Sequence, residues 1–359
     1  LPLSDYAEIM KEQPYLQSIY KNLGSWTVPL ISVASFVPLA FFFASSPPPP
    51  SPPPPVAHSI LPPPSQLSPP VITPDPVIPT PKPQALPPKK TVAPTPKAKP
   101  TKNVVSKRLP PAPEHYQPPQ LEIKVAIAQD ASNISLGTST IGVVTDRQGT
   151  PIKTLRANQG ARITPTGESL SMDGFNLPGV VFIEPSQGGL VYINDRWYRG
   201  RMLLVSQGNT ILAVNYLDLE KYLYSVVGSE MHHNAPTEAL KAQAIAARSY
   251  ALVHMIRPAS AWFNLGNTQR WQVYKGLQSE SNTGHFAVNQ TSGQILSYKG
   301  GVVESLYAAT DEIVARAHGG RGMSQTGAYD LAKTGYNYEQ ILGNYYPGVG
   351  LARLVLQTN

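Results

Sequence analysis

Short apolar or β-branched runs broken by Gly, Asn, Asp or Pro fill the chain from Leu121 to Tyr216: LEIKVAIA, TIGVVTD, GVVFIEP, GGLVYIND, RMLLVSQ and TILAVNY. This pattern predicts strands joined by hairpins. The period then changes. Asp218 offers a helix cap, and Leu219, Leu223, Val226 and Val227 recur at helical spacing, which predicts one short helix ending at Gly228. Pro236 in a first turn, with Glu238 two residues on, opens a second helix expected to reach about Ile256 before Pro258 stops it. Its stripe of Leu240, Ala244, Ala247, Ala251 and Met255 is mostly small, so another backbone can approach closely and the helix should be central. WQVYKG, GQILSYKG and VVESLYAAT read as strands again, followed by a Gly-rich turn and a last helix in GYNYEQILGNYY. The expectation is an α+β domain over residues 120–359, mainly strands in 120–216 and helices with strands in 217–359.

Two other textures precede that domain. Residues 26–46, WTVPLISVASFVPLAFFFASS, carry no charge and are about long enough to cross the ~30 Å hydrocarbon layer as a helix. Signal-peptidase cleavage after Ala44 and Ser46 would leave Pro47 just beyond the cut, so an uncleaved transmembrane anchor is expected. Lys11 and Lys21 lie before the span and no Lys or Arg follows until Lys82, which places residues 1–25 in the cytoplasm and the folded bulk outside. Residues 47–119 are rich in proline and nearly free of aromatic side chains, a composition that cannot bury enough apolar surface to fold. They read as a disordered linker. At ~3.1 Å per residue it reaches at most about 200 Å, enough to enter a wall layer outside a membrane.

The formal net charge of +7 raises the possibility of a nucleic-acid partner, but residues 47–119 account for +6 of it. Lysines scattered among prolines suit loose attraction to an anionic polymer or headgroup surface and make no groove-reading domain, so no nucleic acid is expected. The chain has no cysteine, which removes disulfides, thiolate metal sites and cysteine nucleophiles together.

Glu230 is the most informative acid. A helix ending just before it presents unsatisfied carbonyls whose partial negative charge disfavours a nearby carboxylate, and an upward pKa shift follows. A glutamic acid kept protonated near neutral pH can protonate a leaving oxygen. The alternative is a solvated loop glutamate. His232 and His233 are adjacent, so they point poorly at one metal ion, and no HExxH pair occurs. Arg248 is either a buried partner for an acid or a cation for substrate. Ser324 in RGMSQTG lacks the G-x-S-x-G elbow, and there is no phosphate-binding G-x-x-x-x-G-K-[ST]. The aromatic residues Trp197, Tyr198, Trp262, Trp271, Tyr274, Tyr307, Tyr345 and Tyr346 suit stacking on sugar faces and equally fill a core.

The ordered blocks VNYLDLEKYLYSVVGSEM, APTEALKAQAIAARSYAL, QVYKG, TSGQILSYKG and RGMSQTGAYDLAKTGYNYEQILGNYYPG resemble the stage II sporulation protein D family, the SpoIID/LytB domain. The resemblance covers most of residues 120–350 and implies a β-rich domain with helices around a cleft. It implies peptidoglycan glycan strands as substrate, Glu230 as the catalytic acid of a lytic transglycosylase, and no cofactor. Members called amidase enhancers imply a second role, stimulation of a peptidoglycan amidase. Tyr198, Arg199, Arg248, Tyr274, Tyr307, Ser324 and Gln325, polar or aromatic residues within the stretch the resemblance covers, are the candidates for substrate binding, with Gln325 expected within reach of Glu230. Two departures stand out. A zinc site built with cysteines, as some members carry, has no ligands here, so no metal is expected. HGGRGMSQ stands where a pattern like GHGVGMSQ is common, after a short stretch from Thr310, so the resemblance does not fix His318 as the counterpart of that pattern's histidine and one cleft wall is expected to differ.

Overall fold

The computed structural model describes residues 109–355. The expected anchor at 26–46 and the linker up to residue 108 lie outside the described residues. Among those described, no helix is long and apolar enough to cross a membrane.

Twelve strands come first: β1 (Glu122–Ala131), β2 (Ile134–Thr138), β3 (Gly142–Thr145), β4 (Pro151–Leu155), β5 (Ala161–Thr166), β6 (Ser169–Met172), β7 (Phe175–Leu177), β8 (Val180–Pro185), β9 (Val191–Ile193), β10 (Arg196–Tyr198), β11 (Arg201–Gln207) and β12 (Thr210–Asp218). They form a seven-stranded sheet, in which Leu265–Gly266 is followed by β1, β12, β11, β8, β3 and β4, and a six-stranded sheet ordered β10, β9, β2, β5, β6, β7. Side chains of a strand alternate between faces, and β11 and β12 use both. Met202, Leu204, Ile211 and Ala213 point into the main core with Ile134, Leu136, Ile163 and Leu170 of the other sheet. Leu203, Val205, Leu212, Val214 and Tyr216 point the other way, under Phe182, Trp262 and Phe263. Burial on both faces explains why RMLLVSQ and TILAVNY read as near-continuous apolar runs.

Six helices follow among the described residues: α1 (Leu219–Glu230), α2 (Thr237–Ile256), α3 (Asn282–Gln290), α4 (Asp311–His318), α5 (Gln325–Lys333) and α6 (Tyr338–Tyr345). The helix α2 is central, as its small-residue stripe predicts: Ala239, Ala242, Ala244, Ala246, Ala247 and Ala251 are all fully buried. With so little side chain at the contacts, α1, α3, α5 and α6 all pack closely on it.

Arg248 of α2 is fully buried and takes the place of the buried partner for an acid, away from solvent. Its Nε donates to Glu220 Oε1 at 2.8 Å and its Nη2 to Glu220 Oε2 at 2.6 Å, while Nη1 donates to the Gln294 carbonyl at 3.0 Å. The Gly293 N–H completes the carboxylate at 3.3 Å. One guanidinium thus ties α1 and α2 to the strand Gln294–Tyr298. That strand pairs antiparallel with Gly350–Arg353. The polypeptide enters beside it: the Tyr116 hydroxyl donates to the Leu354 carbonyl at 2.8 Å, and Arg353 Nη1 donates to the Pro110 carbonyl at 3.1 Å. Ordered contacts therefore begin ahead of residue 120.

Two sequence expectations need correction. WQVYKG is not a strand, although Gln272, Tyr274 and Gly276 alternate into the interior as a strand's residues would. The Val273 and Lys275 N–H groups bond to side chains of α1, and those of Trp271 and Tyr274 to the carbonyls of Thr268 and Asn267, instead of a neighbouring ladder. Gly228 does not end α1, which runs on to Glu230. The glycine is there for contact: a Cβ built on it would run into the Ser279 carbonyl oxygen.

Candidate functional site

Asp218 caps α1, its Oδ1 accepting from the N–H groups of Glu220 at 3.0 Å and Lys221 at 3.2 Å. One face of α1 buries Leu219, Tyr222, Leu223, Val226 and Val227, and this fixes the direction in which its last residue, Glu230, emerges. Met231 then turns to extended backbone, its N–H still bonded to the Val227 carbonyl at 3.0 Å.

The segment 271–280 lies along the end of α1. The Lys275 N–H donates to Ser225 Oγ at 3.1 Å, and Ser279 Oγ donates to the Ser225 carbonyl at 3.0 Å. That docking delivers the Val273 N–H to Glu230 Oε1 at 2.9 Å. From the opposite side, the two-residue parallel bridge of Tyr307–Ala308 with Met323–Ser324 sets Gln325 at the start of α5, where its Nε2 donates to Glu230 Oε2 at 3.2 Å. Gly228→Ala should therefore push the segment off α1. The steric conflict costs about 1–3 kcal/mol, more than the ~0.5–1 kcal/mol that alanine adds to a helix. A lower thermal midpoint is expected, together with loss of protection of the Val273 amide in hydrogen exchange.

Burial pushes the Glu230 carboxyl above its ordinary range, against the Val273 N–H, the Gln325 amide and the Lys275 ammonium, which all pull it down. The direction is the one the sequence implies, but the leading cause is burial rather than helix-end carbonyls. Both oxygens have a donor waiting, so the ionised form is not left unsatisfied when the proton departs. Removing one donor shifts that balance. In Gln325→Leu the midpoint of Glu230, followed by carbon NMR of the labelled carboxyl, should move to higher pH; a midpoint unchanged or lowered would contradict the assigned contact.

Tyr307 stands next to this acid. Its hydroxyl accepts from Gln272 Nε2 at 2.9 Å, and Gln272 Oε1 accepts in turn from the Tyr222 hydroxyl at 2.9 Å. Burial and the neighbouring Glu230 hold the Tyr307 phenol protonated. A groove of about 540 Å³ opens beside Glu230, lined by Ser229, Thr268, Gln269, Arg270, Val273 and Lys275.

The other candidates sit elsewhere. Tyr198 and Tyr274 are buried, at 3% and 1% exposure, and the Tyr274 ring lies tilted against both Tyr198 and Tyr222. The Tyr274 hydroxyl donates to Asn215 Oδ1 at 2.7 Å, which props the β10–β12 corner rather than facing a ligand. Arg199 forms a two-pronged pair with Glu280 at 2.7 and 2.8 Å. Ser324 is fully buried and caps α5 by accepting from the Gly327 N–H at 3.0 Å. His232 and His233 are exposed, and among the described residues no group of three or more His, Cys, Asp or Glu is placed to hold a metal. His318 closes α4 ahead of a left-handed Gly319. Of the residues singled out in the sequence, Glu230, Gln325 and Tyr307 are brought together. Sequence reasoning passed over Val273, whose contribution is a backbone N–H, and Gln272, Arg270 and Lys275, which no spacing marks.

Fold and site define an α+β domain with one half-buried acid beside an open groove; among the described residues no second carboxylate is hydrogen-bonded to that acid. Comparison with known proteins places the helical heart of it. Residues 207–298 match the family model SpoIID, stage II sporulation protein. An uncharacterized protein of Brachyspira hyodysenteriae is 36% identical over 132 residues, 36% of this chain and 35% of that protein. The amidase enhancer of Bacillus subtilis is 35% identical over 89 residues, 25% of this chain and 12% of its own length. Stage II sporulation protein D of Bacillus subtilis is 34% identical over 113 residues, 27% of this chain and 33% of that protein. The chain thus spans about a third or less of each of these relatives, and what it shares with the SpoIID family model lies in residues 207–298.

Proposed function

We propose that this protein acts on peptidoglycan as a membrane-anchored lytic transglycosylase, held by residues 26–46 with its folded domain on the outer side. It cleaves glycan strands after N-acetylmuramic acid and leaves a 1,6-anhydro end. The observation that carries the reading is Glu230: its carboxyl is pushed up by burial, yet met by the Val273 N–H and the Gln325 amide when it ionises.

The chemistry needs one carboxyl group. Neutral Glu230 gives its proton to the glycosidic oxygen as the C1–O bond breaks. The resulting carboxylate then takes the proton of the sugar's own C6 hydroxyl as O6 bonds to C1, and the acid is restored with no water consumed. A typical hydrolase needs a second carboxylate across the bond to activate water or attack C1. Here the nucleophile belongs to the substrate. The neutral Tyr307 phenol, accepting from Gln272, has its own proton to direct at a sugar oxygen.

A second reading comes from the match to an amidase enhancer. It makes the domain a peptidoglycan-binding stimulator of an amidase, without bond cleavage. Product analysis separates the two. Peptide-stripped glycan strands incubated with the full chain should yield anhydromuramic ends, and Glu230→Gln should yield none. No ends from either protein, with an amidase accelerated by both, would establish the enhancer reading instead.

A further inference from the structure

We propose that the groove beside Glu230 is a carboxylate subsite, in which Arg270 and Lys275 receive the acidic substituent of the sugar bound next to the acid. The inference rests on the glycan-cutting reading, because it names what on the sugar the groove recognises.

The groove brings together two cations that no carboxylate among the described residues neutralises. Arg199, Arg201 and Arg248 each direct their guanidinium to a carboxylate. Arg270 and Lys275 are exposed, line the same groove and form no salt bridge among the described residues. The Arg270 guanidinium lies 5.5 Å from the centre of the Trp271 ring, a platform that orders a side chain otherwise free to wander. The remaining lining, Ser229, Thr268 and Gln269, is polar and uncharged, so nothing in the groove but these two cations carries a full charge.

Position supplies the second argument. Lys275 is close enough to Glu230 to act on its ionisation, and Val273, which bonds Glu230, lines the same groove. An anion held there lies next to the acid, and N-acetylmuramic acid carries a carboxylate on its ring through the lactyl ether at O3. A stem peptide attached at that point would instead offer its own carboxylates. Either source presents a carboxylate to the cations, whereas a neutral chitin-type sugar presents none.

The test is direct binding to the full chain carrying Glu230→Gln, which removes the proposed acid. Ligands are peptide-stripped muramyl oligosaccharide, the same material with its carboxylates reduced to alcohols, chitin oligosaccharide, and peptide-bearing muramyl oligosaccharide. Two exposed ion pairs should strengthen binding of the stripped acid form over its reduced form about two- to thirtyfold, an advantage that fades with salt. Adding Arg270→Ser and Lys275→Ser should erase that advantage and leave the reduced form and chitin unchanged. If the advantage appears only with peptide-bearing material, the carboxylate is the peptide's. Equal binding of charged and neutral forms, equal weakening of all ligands by the double substitution, or no binding at all would overturn the subsite. Charge-dependent binding by a protein that releases no anhydro ends would keep the subsite and remove the cutting reading; cutting with charge-blind binding would do the reverse.

Discussion

Replacing Glu230 by Gln should lower release of anhydromuramic ends by about 10²–10⁴-fold, the range that general acid–base groups supply, while the fold stays as stable at neutral pH. Gln keeps the shape and an oxygen for the Val273 N–H, and a flip of the Gln325 amide can present its own oxygen to the new NH₂. What is lost is the proton. Stability should respond in the opposite sense from activity. Because the folded carboxyl sits above its ordinary value, it favours the fold below the ordinary carboxylate range, and that contribution is lost as pH rises through the folded pKa. The variant should therefore match or exceed wild type in thermal midpoint near pH 7, and fall behind it as the pH drops into the acid range. Full cutting by the variant, or a variant already much less stable at neutral pH, would contradict the role assigned to Glu230.

Arg248→Met should destabilise the domain by about 3–5 kcal/mol, because it leaves Glu220 charged in a site where the guanidinium was its counter-charge. Glu220 would retain only the Gly293 N–H, and the Gln294 carbonyl would lose its guanidinium donor. For a domain of this size about 2–4 °C is lost per kcal/mol, so the midpoint should fall by roughly 6–20 °C. The double variant Arg248→Met, Glu220→Leu removes both charges and should recover part of the loss. A single variant as stable as wild type, or a double variant worse than the single, would mean that the pair is not the junction described above.

The strand-rich half was legible because its sheets have a buried face and sharp turns: GVVFIEP and TILAVNY fall on β8 and β12. The length of α2 was legible too, bounded by Pro236 and Pro258. Helices α3, α4 and α5 were missed, since none carries a long apolar face, yet each had a readable start in Ser281, Thr310 or Ser324. WQVYKG misled because alternating burial normally signals a ladder, whereas here Gln272 and Tyr274 are drawn inward by side-chain hydrogen bonds. At the site, Glu230 could be picked out from its place at a helix end, but its burial depends on Val273 and Gln325, which are 43 and 95 residues away in sequence. Such contacts leave no local periodicity. Aromatic and cationic residues were ambiguous for a related reason: Tyr198, Tyr274 and Arg248 are chemically suited to sugars, and only packing shows that they hold the frame.

The clasp of Tyr116 on Leu354 and of Arg353 on Pro110 brings the first and last described stretches side by side, like a loop of string pinched at its knot. A topology with neighbouring ends can be reopened elsewhere and rejoined at the knot without disturbing its interior. The exposed hairpin at Asp173–Gly174, far along the chain from Glu230, is a natural place to cut.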